Sequence, residues 1–182
     1  MQDIETRAGP FDSRLADVQA APADEGRVEL IVRRPVVDER EVIEEARLDR
    51  DGGLVGDRWA ARDRAATRVH LSSQLTVIST RVLRVIEPDA GRWPLAGDQL
   101  YVDLDLSEAN LPVGSRLAVG TSVIEISETP HTGCAKFSAR FGSDALRWIN
   151  SPVGRAHRMR GLNARVIEPG TIRRGDTIWR VP

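Results

Sequence analysis

Short segments in which apolar and polar residues alternate constrain the fold of this chain most strongly. Between residues 100 and 106 every second residue is leucine or valine, which is the period of a β-strand with one buried face. Similar short apolar segments recur along the chain at residues 28–32, 75–78, 117–119, 123–126, 164–167 and 177–181. This pattern predicts a mainly β protein.

Glycine turns lead into several of these segments. Gly supplies a positive-φ turn position, and the Asp or Ser after it can hydrogen-bond the following backbone. Such pairs occur at Gly56-Asp57, Gly97-Asp98, Gly114-Ser115 and Gly175-Asp176. Many short strands with frequent glycine turns favour a barrel or a sandwich. Helical periodicity is confined to residues 80–87 and 143–150, so we expect only a few short helices outside the β structure.

The length of 182 residues suffices for one domain with a hydrophobic core. Residues 1–26 are rich in Ala, Asp, Pro and Glu and have no sustained apolar period. We therefore predict a poorly ordered N-terminal tail over residues 1–26 and a single β domain over residues 27–182.

The charge balance and composition argue against several classes of partner. The net charge is -1, so no overall basic field draws the chain to nucleic acid or an anionic membrane. One Tyr and three Phe disfavour an oligonucleotide-binding barrel, which stacks bases on aromatic side chains. The sequence has no long apolar run and no secretory signal, and its single cysteine excludes an internal disulfide. We expect a cytoplasmic protein.

The segment around the single cysteine is the strongest candidate for chemistry. Cys134 follows His131-Thr132-Gly133 on a turn bounded by Pro130. A thiolate is a nucleophile and a soft metal ligand, and neighbouring cations lower the pKa of the thiol. Three candidates for that cation are close in sequence, namely His131, Lys136 and Arg140, and we favour His131 or Lys136, the single lysine. Lone cysteines are, however, often buried small hydrophobic residues, so both readings of Cys134 stay open.

Other catalytic and metal-binding patterns are weak or missing in the sequence. A second cysteine, a His-x-x-x-His pair and a ladder of acidic residues are absent, which disfavours zinc and calcium sites. A phosphate-binding P-loop is also absent. A Cys-His-Asp hydrolase remains possible, because such groups meet in space and not in sequence.

Five segments with recognisable motifs follow one another along the chain: Gly53 to Trp59, Gly97 to Leu100, Leu111 to Gly120, His131 to Cys134 and Arg160 to Asp176. In this order they resemble the motifs of MOSC domains, which form the C-terminal module of molybdenum-cofactor sulfurases. The resemblance covers roughly residues 28–181. Asp98 and Gln99 stand where the family commonly has Glu and Asn.

The resemblance implies a barrel like the small domain of pyruvate kinase. It also implies a role in molybdenum-cofactor binding, sulfur transfer or cofactor-dependent reduction, with Cys134 bound to metal or carrying sulfur. The chain resembles the small stand-alone bacterial members. Pyridoxal phosphate belongs to a partner domain in longer members, so a pyridoxal-phosphate-dependent cysteine desulfurase, or a molybdoenzyme, would act on this chain in trans.

A molybdopterin-type ligand needs a soft donor for the metal, cations for its phosphate, and polar groups for its pterin. We predict Cys134 and His131 as catalytic residues, with Cys134 also the metal ligand. The alternative is a non-catalytic barrel that binds a partner or small ligand and buries Cys134 as a structural residue. The predicted cofactor-binding residues are Arg58, Ser72, Gln99, Thr132, Gly133, Lys136, Arg160 and Asn163.

Overall fold

The computed structural model describes residues 9–59 and 71–181. Residues 1–8 of the predicted tail, and Pro182 of the predicted domain, lie outside the described residues. The strands are β1 (Glu25–Arg33), β2 (Glu41–Ile43), β3 (Glu45–Asp49), β4 (Gly53–Leu54), β5 (Leu75–Ser79), β6 (Leu100–Asp103), β7 (Arg116–Val119), β8 (Ser122–Ile126), β9 (Leu162–Glu168), β10 (Gly170–Arg173) and β11 (Thr177–Val181). The described α-helices are α1 (Leu15–Gln19), α2 (Thr80–Ile86), α3 (Ala135–Phe141), α4 (Ser143–Asn150) and α5 (Pro152–Ala156).

Seven strands form a closed barrel in the order β1, β6, β5, β9, β8, β7 and β11. The barrel closes where the first residues of β1 pair with β11, so that Gly26 lies opposite Ile178. Neighbouring strands are antiparallel except β5 and β6, which run parallel. The predicted mainly β, closed barrel with a few short helices is confirmed.

A small second sheet, which the sequence did not predict, packs beside the barrel. Its strand order is β10, β3 and β4, and Ile172 of β10 lies opposite Ala46 of β3. The strands are short and rich in charge, with only alternate residues such as Leu48 buried. Their apolar pattern is therefore too brief to be recognised in the sequence.

Two hydrophobic cores lie on opposite faces of the barrel wall. The first fills the barrel interior with aliphatic residues such as Leu100, Leu117 and Ile124. The second lies between the outer wall and the helices and includes Tyr101 and Trp148. Tyr101 is therefore buried like its neighbours in β6. The alternation in this segment predicted one buried face, but the helices bury the other face as well.

The helices occupy the outer face that the second core covers. The two segments with helical periodicity are α2 and α4 in the structure. α4 ends at Asn150, and Pro152 then begins α5 with Ser151 as its N-cap. None of the described helices is long and apolar enough to cross a membrane.

Part of the predicted tail packs against the helices. Residues 12–19 form a 3-10 helix followed by α1, and Val18 is buried. The ring of Phe11 lies 5.5 Å from that of Trp148. This packing differs from the expected poorly ordered tail over residues 9–26, because three separated apolar residues (Phe11, Leu15 and Val18) meet the second core. Whether the tail can be removed stays a prediction.

Candidate functional site

The loop between β8 and α3 carries Cys134 at the N-cap position of α3. Its backbone there is extended, with φ -126 and ψ 177, and the side chain is exposed to solvent. The alternative in which Cys134 is a buried structural residue is therefore wrong. Cys134 lies at the rim of the site and does not line either of the two cavities described below.

The first turn of α3 lowers the pKa of the Cys134 thiol below its usual value. The largest cause is the backbone N–H group of Phe137, although the sulfur makes no full capping hydrogen bond. The N–H group of Lys136 and the charges of Arg160 and Arg140 act in the same direction, whereas burial opposes them. A partly positive helix N-terminus favours a thiolate in this way.

The predicted cations beside Cys134 do not have the expected roles. Burial lowers the pKa of His131 to about 4, so His131 is neutral near pH 7 and cannot stabilise a thiolate by charge. The ammonium of Lys136 is exposed and lies 3.9 Å from Asp38. Lys136 therefore acts on the thiol mainly through its backbone.

Three consecutive carbonyl groups organise three arginines at the end of the 3-10 helix Ala90–Ala96. The chain turns there through Gly97, whose φ of 86 lies in the left-handed region, which glycine adopts without a steric penalty. The carbonyl oxygens of Leu95, Ala96 and Gly97 accept hydrogen bonds from Arg140 (2.7 Å), Arg160 (3.0 Å) and Arg34 (2.8 Å), respectively.

Two buried carboxylates hold two of these arginines. Asp57 receives Nε and Nη2 of Arg34 at 2.8 and 2.9 Å. Asp98 receives Nη1 of Arg160 at 2.7 Å. Both Asp side chains are 0% exposed, and such charge-assisted pairs fix the guanidinium orientation.

Positive charge exceeds negative charge at this site. The carboxylates are those of the buried Asp57 and Asp98 and of the exposed Asp38, which lies 3.7 Å from Arg140. The arginines are Arg34, Arg40, Arg58, Arg140 and Arg160. The pKa of Arg40 is lowered, first by burial and then by the charges of Arg140, Arg34 and Arg58. A bound anion would relieve the repulsion that Arg40 experiences from these neighbouring cations.

Buried polar atoms without hydrogen-bond partners concentrate here. Among the described residues, eight buried side-chain nitrogen or oxygen atoms lack a partner, and six belong to this site. Polar groups left unpaired in a protein interior are costly and call for an explanation such as a missing ligand. The six atoms are Nε of Arg40, Arg58 and Arg160, Nε1 of Trp59, Nδ1 of His131 and Oδ1 of Asp98.

Two cavities adjoin at this place. The first, which we call the arginine pocket, has a volume of about 240 Å³ and is lined by Arg34, Arg58, Trp59, Ser73, Thr76, Gly97, His131, Arg160 and Asn163. The second cavity has a volume of about 400 Å³ and extends toward α4 and α5, with Ile149 and Leu162 in its wall. His131, Arg160 and Asn163 line both cavities, so a ligand in one would contact residues that also line the other.

The structure brings four of the predicted site residues together in the arginine pocket: Arg58, His131, Arg160 and Asn163. Asn163 donates a hydrogen bond to the carbonyl oxygen of Thr129 at 3.1 Å, which attaches the Cys134 loop to β9. Thr132 is exposed and lines the second cavity.

The remaining predicted binding residues have structural partners. Gln99 is fully buried. Its side-chain oxygen accepts hydrogen bonds from the N–H and hydroxyl groups of Thr76, and its side-chain nitrogen donates one to the carbonyl oxygen of Gln74. Ser72 accepts a hydrogen bond from Thr129 at 2.9 Å outside the arginine pocket. Gly133 lies close against α4, since a Cβ there would lie 2.6 Å from Cδ1 of Leu146. These three residues shape the site without lining the arginine pocket.

Sequence reasoning missed Arg34 and Arg40 as well as both buried Asp residues, and it considered Arg140 only as a cation near Cys134. The glycine turns before Asp57 and Asp98 are visible in the sequence, but they predict only strand starts. Arg34 and Arg40 come from the connection between β1 and β2 and Arg140 comes from α3, and the fold brings them together at the turn from Leu95 to Gly97. Because the sequence contains many arginines, it does not indicate which of them lie at one site.

Comparisons with known proteins agree with this architecture. The solved structure of the YuaD protein from Bacillus subtilis aligns with a TM-score of 0.62 and 17% identity, covering 85% of this chain and 94% of that protein. YiiM from Geobacillus stearothermophilus aligns with a TM-score of 0.59 and 16% identity, covering 86% and 75%. YiiM from Escherichia coli aligns with a TM-score of 0.56 and 19% identity, covering 86% and 70%. At these identities the likeness concerns the fold alone.

The sequence itself was compared with curated proteins and with models of protein families. The comparison with curated proteins gives no match. The family described as MOSC domain matches residues 67–179, which is more than half of the chain. The chain therefore belongs to the MOSC domain family.

Proposed function

We propose that this chain binds a molybdopterin-type cofactor through its phosphate in the arginine pocket, with Cys134 as the thiolate at the rim. The observation that carries the proposal is that Nε of Arg58 and Nε of Arg160, two arginines that line this pocket, are buried without hydrogen-bond partners. Membership of the MOSC family, which is associated with molybdenum cofactor, narrows the class of anion.

The fit to a phosphate follows from the hydrogen-bonding capacity of the pocket. Guanidinium groups present donors in a fixed fork that matches phosphate oxygens. Asp57 and Asp98 already hold Arg34 and Arg160 in place, so little side-chain entropy would be lost on binding. A phosphate would give the unpaired donors acceptors and would offset the excess positive charge.

The fit to the metal rests on Cys134. Within the described residues no cluster of three His, Cys, Asp or Glu side chains could hold a metal ion. The protein would contribute one soft ligand, and the cofactor's own sulfur atoms would contribute the others. When bound, such a metal supplies two-electron redox chemistry. The residues of this chain would hold the phosphate, exclude water from the pocket and favour the thiolate form of Cys134 by lowering its pKa.

A second function, sulfur carriage, is favoured by the exposure of Cys134. The thiolate would attack the terminal sulfur of a donor persulfide, such as that of a cysteine desulfurase. A new S–S bond forms at Cys134, the donor's S–S bond breaks, and the donor leaves as a thiolate. A larger partner can reach a sulfur at the rim, whereas it cannot enter the pocket.

The test is metal and pterin analysis of protein purified from a host that makes molybdenum cofactor. Wild type should carry both molybdenum and pterin. Arg58→Ala should lose most of the pterin, whereas Arg147→Ala, which removes an exposed arginine paired with Asp144, should retain it. Cys134→Ser should lose molybdenum or bound sulfur and remain folded. Protein without pterin, or equal loading of the two arginine variants, would reject cofactor binding.

Sulfur carriage has its own measurement. Intact-protein mass spectrometry after incubation with a persulfide donor should show one added sulfur atom on wild type and none on Cys134→Ser. Arg58→Ala should still accept sulfur, because Arg58 is absent from the groups that lower the pKa of Cys134. No sulfur on the wild-type protein would reject this function while leaving cofactor binding open to its own test.

A further inference from the structure

Nδ1 of His131 and Oδ1 of Asp98 face each other inside the site. Nδ1 of His131 lies 3.4 Å from Oδ1 of Asp98. Both atoms are buried and neither has a hydrogen-bond partner in the usual geometry. The other carboxylate oxygen of Asp98 receives Nη1 of Arg160 at 2.7 Å. The imidazole of His131 therefore contacts a carboxylate whose other oxygen already accepts a hydrogen bond from Arg160.

This contact determines which nitrogen of His131 carries the proton. An ionised carboxylate can only accept hydrogen bonds. A lone pair on Nδ1 pointing at Oδ1 of Asp98 would place two acceptors together in a buried site, which is unfavourable. A proton on Nδ1 turns the same contact into an attraction that a small movement converts into a hydrogen bond. The neutral imidazole therefore leaves Nε2 without a proton.

Nε2 is directed toward the ligand space. Nδ1 is the buried ring nitrogen, whereas His131 as a residue lines both cavities. The opposite nitrogen, Nε2, is then the one that meets a bound molecule. The surrounding side chains of Arg58 and Arg160 are donors only. His131 thus adds a hydrogen-bond acceptor to a pocket whose arginines donate hydrogen bonds to ligand oxygens.

We propose that Asp98 is a positioning residue that keeps the proton of His131 on Nδ1, so that Nε2 accepts a hydrogen bond from an O–H or N–H group of the ligand next to its anionic group. The second half of this inference, which concerns the ligand, rests on the proposed anion binding in the arginine pocket. The first half concerns the free protein and does not depend on it.

The tautomer is measured by long-range ¹H–¹⁵N NMR on protein labelled at histidine. The chain has three His residues, so a variant of each assigns the signals. Wild-type His131 should show a protonated Nδ1 and an unprotonated Nε2 at neutral pH. A proton on Nε2, or a charged imidazolium, would overturn the proposal.

Two Asn variants separate positioning from general disturbance of the pocket. Asp98→Asn should produce a mixture of tautomers, since an amide can face Nδ1 with either its oxygen or its nitrogen. Asp57→Asn, which changes the buried carboxylate that pairs with Arg34, should leave the His131 tautomer unchanged. If Asp98→Asn does not fold, the wild-type spectrum still decides the tautomer. A folded Asp98→Asn with the wild-type tautomer would reject the role of Asp98.

The ligand half is tested with two tetrahedral anions at mildly alkaline pH. Hydrogen phosphate and sulfate are then both dianions, but only hydrogen phosphate carries an O–H donor. Calorimetry should show hydrogen phosphate binding about tenfold more tightly, as one added hydrogen bond allows. His131→Ala should abolish the preference and keep sulfate binding. Equal wild-type affinities would overturn the donor requirement alone, whereas no binding of either anion would reject the proposed function and this half with it.

Discussion

At the scale of single residues, the site depends on two buried aspartates that do not touch the ligand space directly. Asp57 and Asp98 each hold one arginine. A buried pair of this kind contributes little net stability, yet removing one partner leaves a costly unpaired charge. The pairs are therefore better explained by the orientation that they impose on Arg34 and Arg160 than by stability.

His131, whose Nδ1 is buried, makes stability depend on pH in a defined window. Its pKa is about 4 in the folded protein and 6.5 as an ordinary value. The unfolded chain therefore takes up the proton first as pH falls, and folding stability decreases from pH 6.5 to about 4. A shift of this size corresponds to at most about 3 kcal/mol.

Urea unfolding at a series of pH values measures this effect. The free energy of unfolding of wild type should fall more steeply below pH 6.5 than that of His131→Gln, in which the titrating group is absent. His157→Gln, at a half-buried histidine hydrogen-bonded to Gln19, should retain the wild-type slope. Parallel curves for wild type and His131→Gln would contradict the burial argument.

At the scale of elements, helix starts determine much of the local chemistry. Ser151 accepts a hydrogen bond from Gly154 N–H at 3.0 Å, and Pro152 follows as the first residue of α5. Proline fits that position because its missing N–H group would have no partner there. The start of α3 has a different effect, since its free N–H groups face the sulfur of Cys134.

The start of α3 predicts a reactive thiol. Because the N–H groups of Phe137 and Lys136 lower the pKa of Cys134, the rate of alkylation by iodoacetamide should rise at lower pH than for a free cysteine, whose pKa is about 8.5. Arg140→Ala should keep the midpoint below the free value, because the largest contribution comes from the backbone. A midpoint at the free value in wild type would show that the helix start has no effect on the thiol.

Two glycines distinguish backbone strain from steric contact. Gly161 and Gly175 have φ values of 100 and 91, so alanine strains both positions by about 1–2 kcal/mol. A Cβ at Gly161 would lie 2.2 Å from the carbonyl oxygen of Val77 in β5, whereas one at Gly175 meets nothing within 4 Å. Gly161→Ala should therefore destabilise by at least about 2 kcal/mol more than Gly175→Ala, as chemical denaturation would measure. Equal losses of unfolding free energy in the two variants would mean that the backbone of β5 shifts away from the new Cβ at no cost.

At the scale of the whole molecule, the sequence predicts the barrel better than the site. Alternating segments such as residues 123–126 coincide with barrel strands, because burial on one face imposes their period. Arg58, His131, Arg160 and Asn163 were predicted from local motifs. Arg34 and Arg140 were not, because nothing in their sequence neighbourhoods shows that one turn of the chain will receive both.

The N-terminal segment, residues 9–26, contacts the rest of the domain at several places. Phe11 packs on Trp148, and the carbonyl oxygen of Pro22 accepts a hydrogen bond from Asp105 N–H at 2.8 Å. Glu25 and Gly26 pair with β11 at the point where the barrel closes. The composition of residues 1–26 predicts a removable tail, but the packed contacts lead us to expect that residues 9–26 stabilise the domain.

A shortened chain and two point variants test this expectation. A chain that begins at Arg27 should melt many degrees below wild type, since it loses two pairs that close the barrel and the packing of Val18. Val18→Asp should cost about 2–3 kcal/mol, because it places a carboxylate in an apolar contact. Ala16→Asp, at an exposed position of the same helix, should have almost no effect. If calorimetry gave all four proteins the same melting temperature, the segment would be removable, as its composition alone suggests.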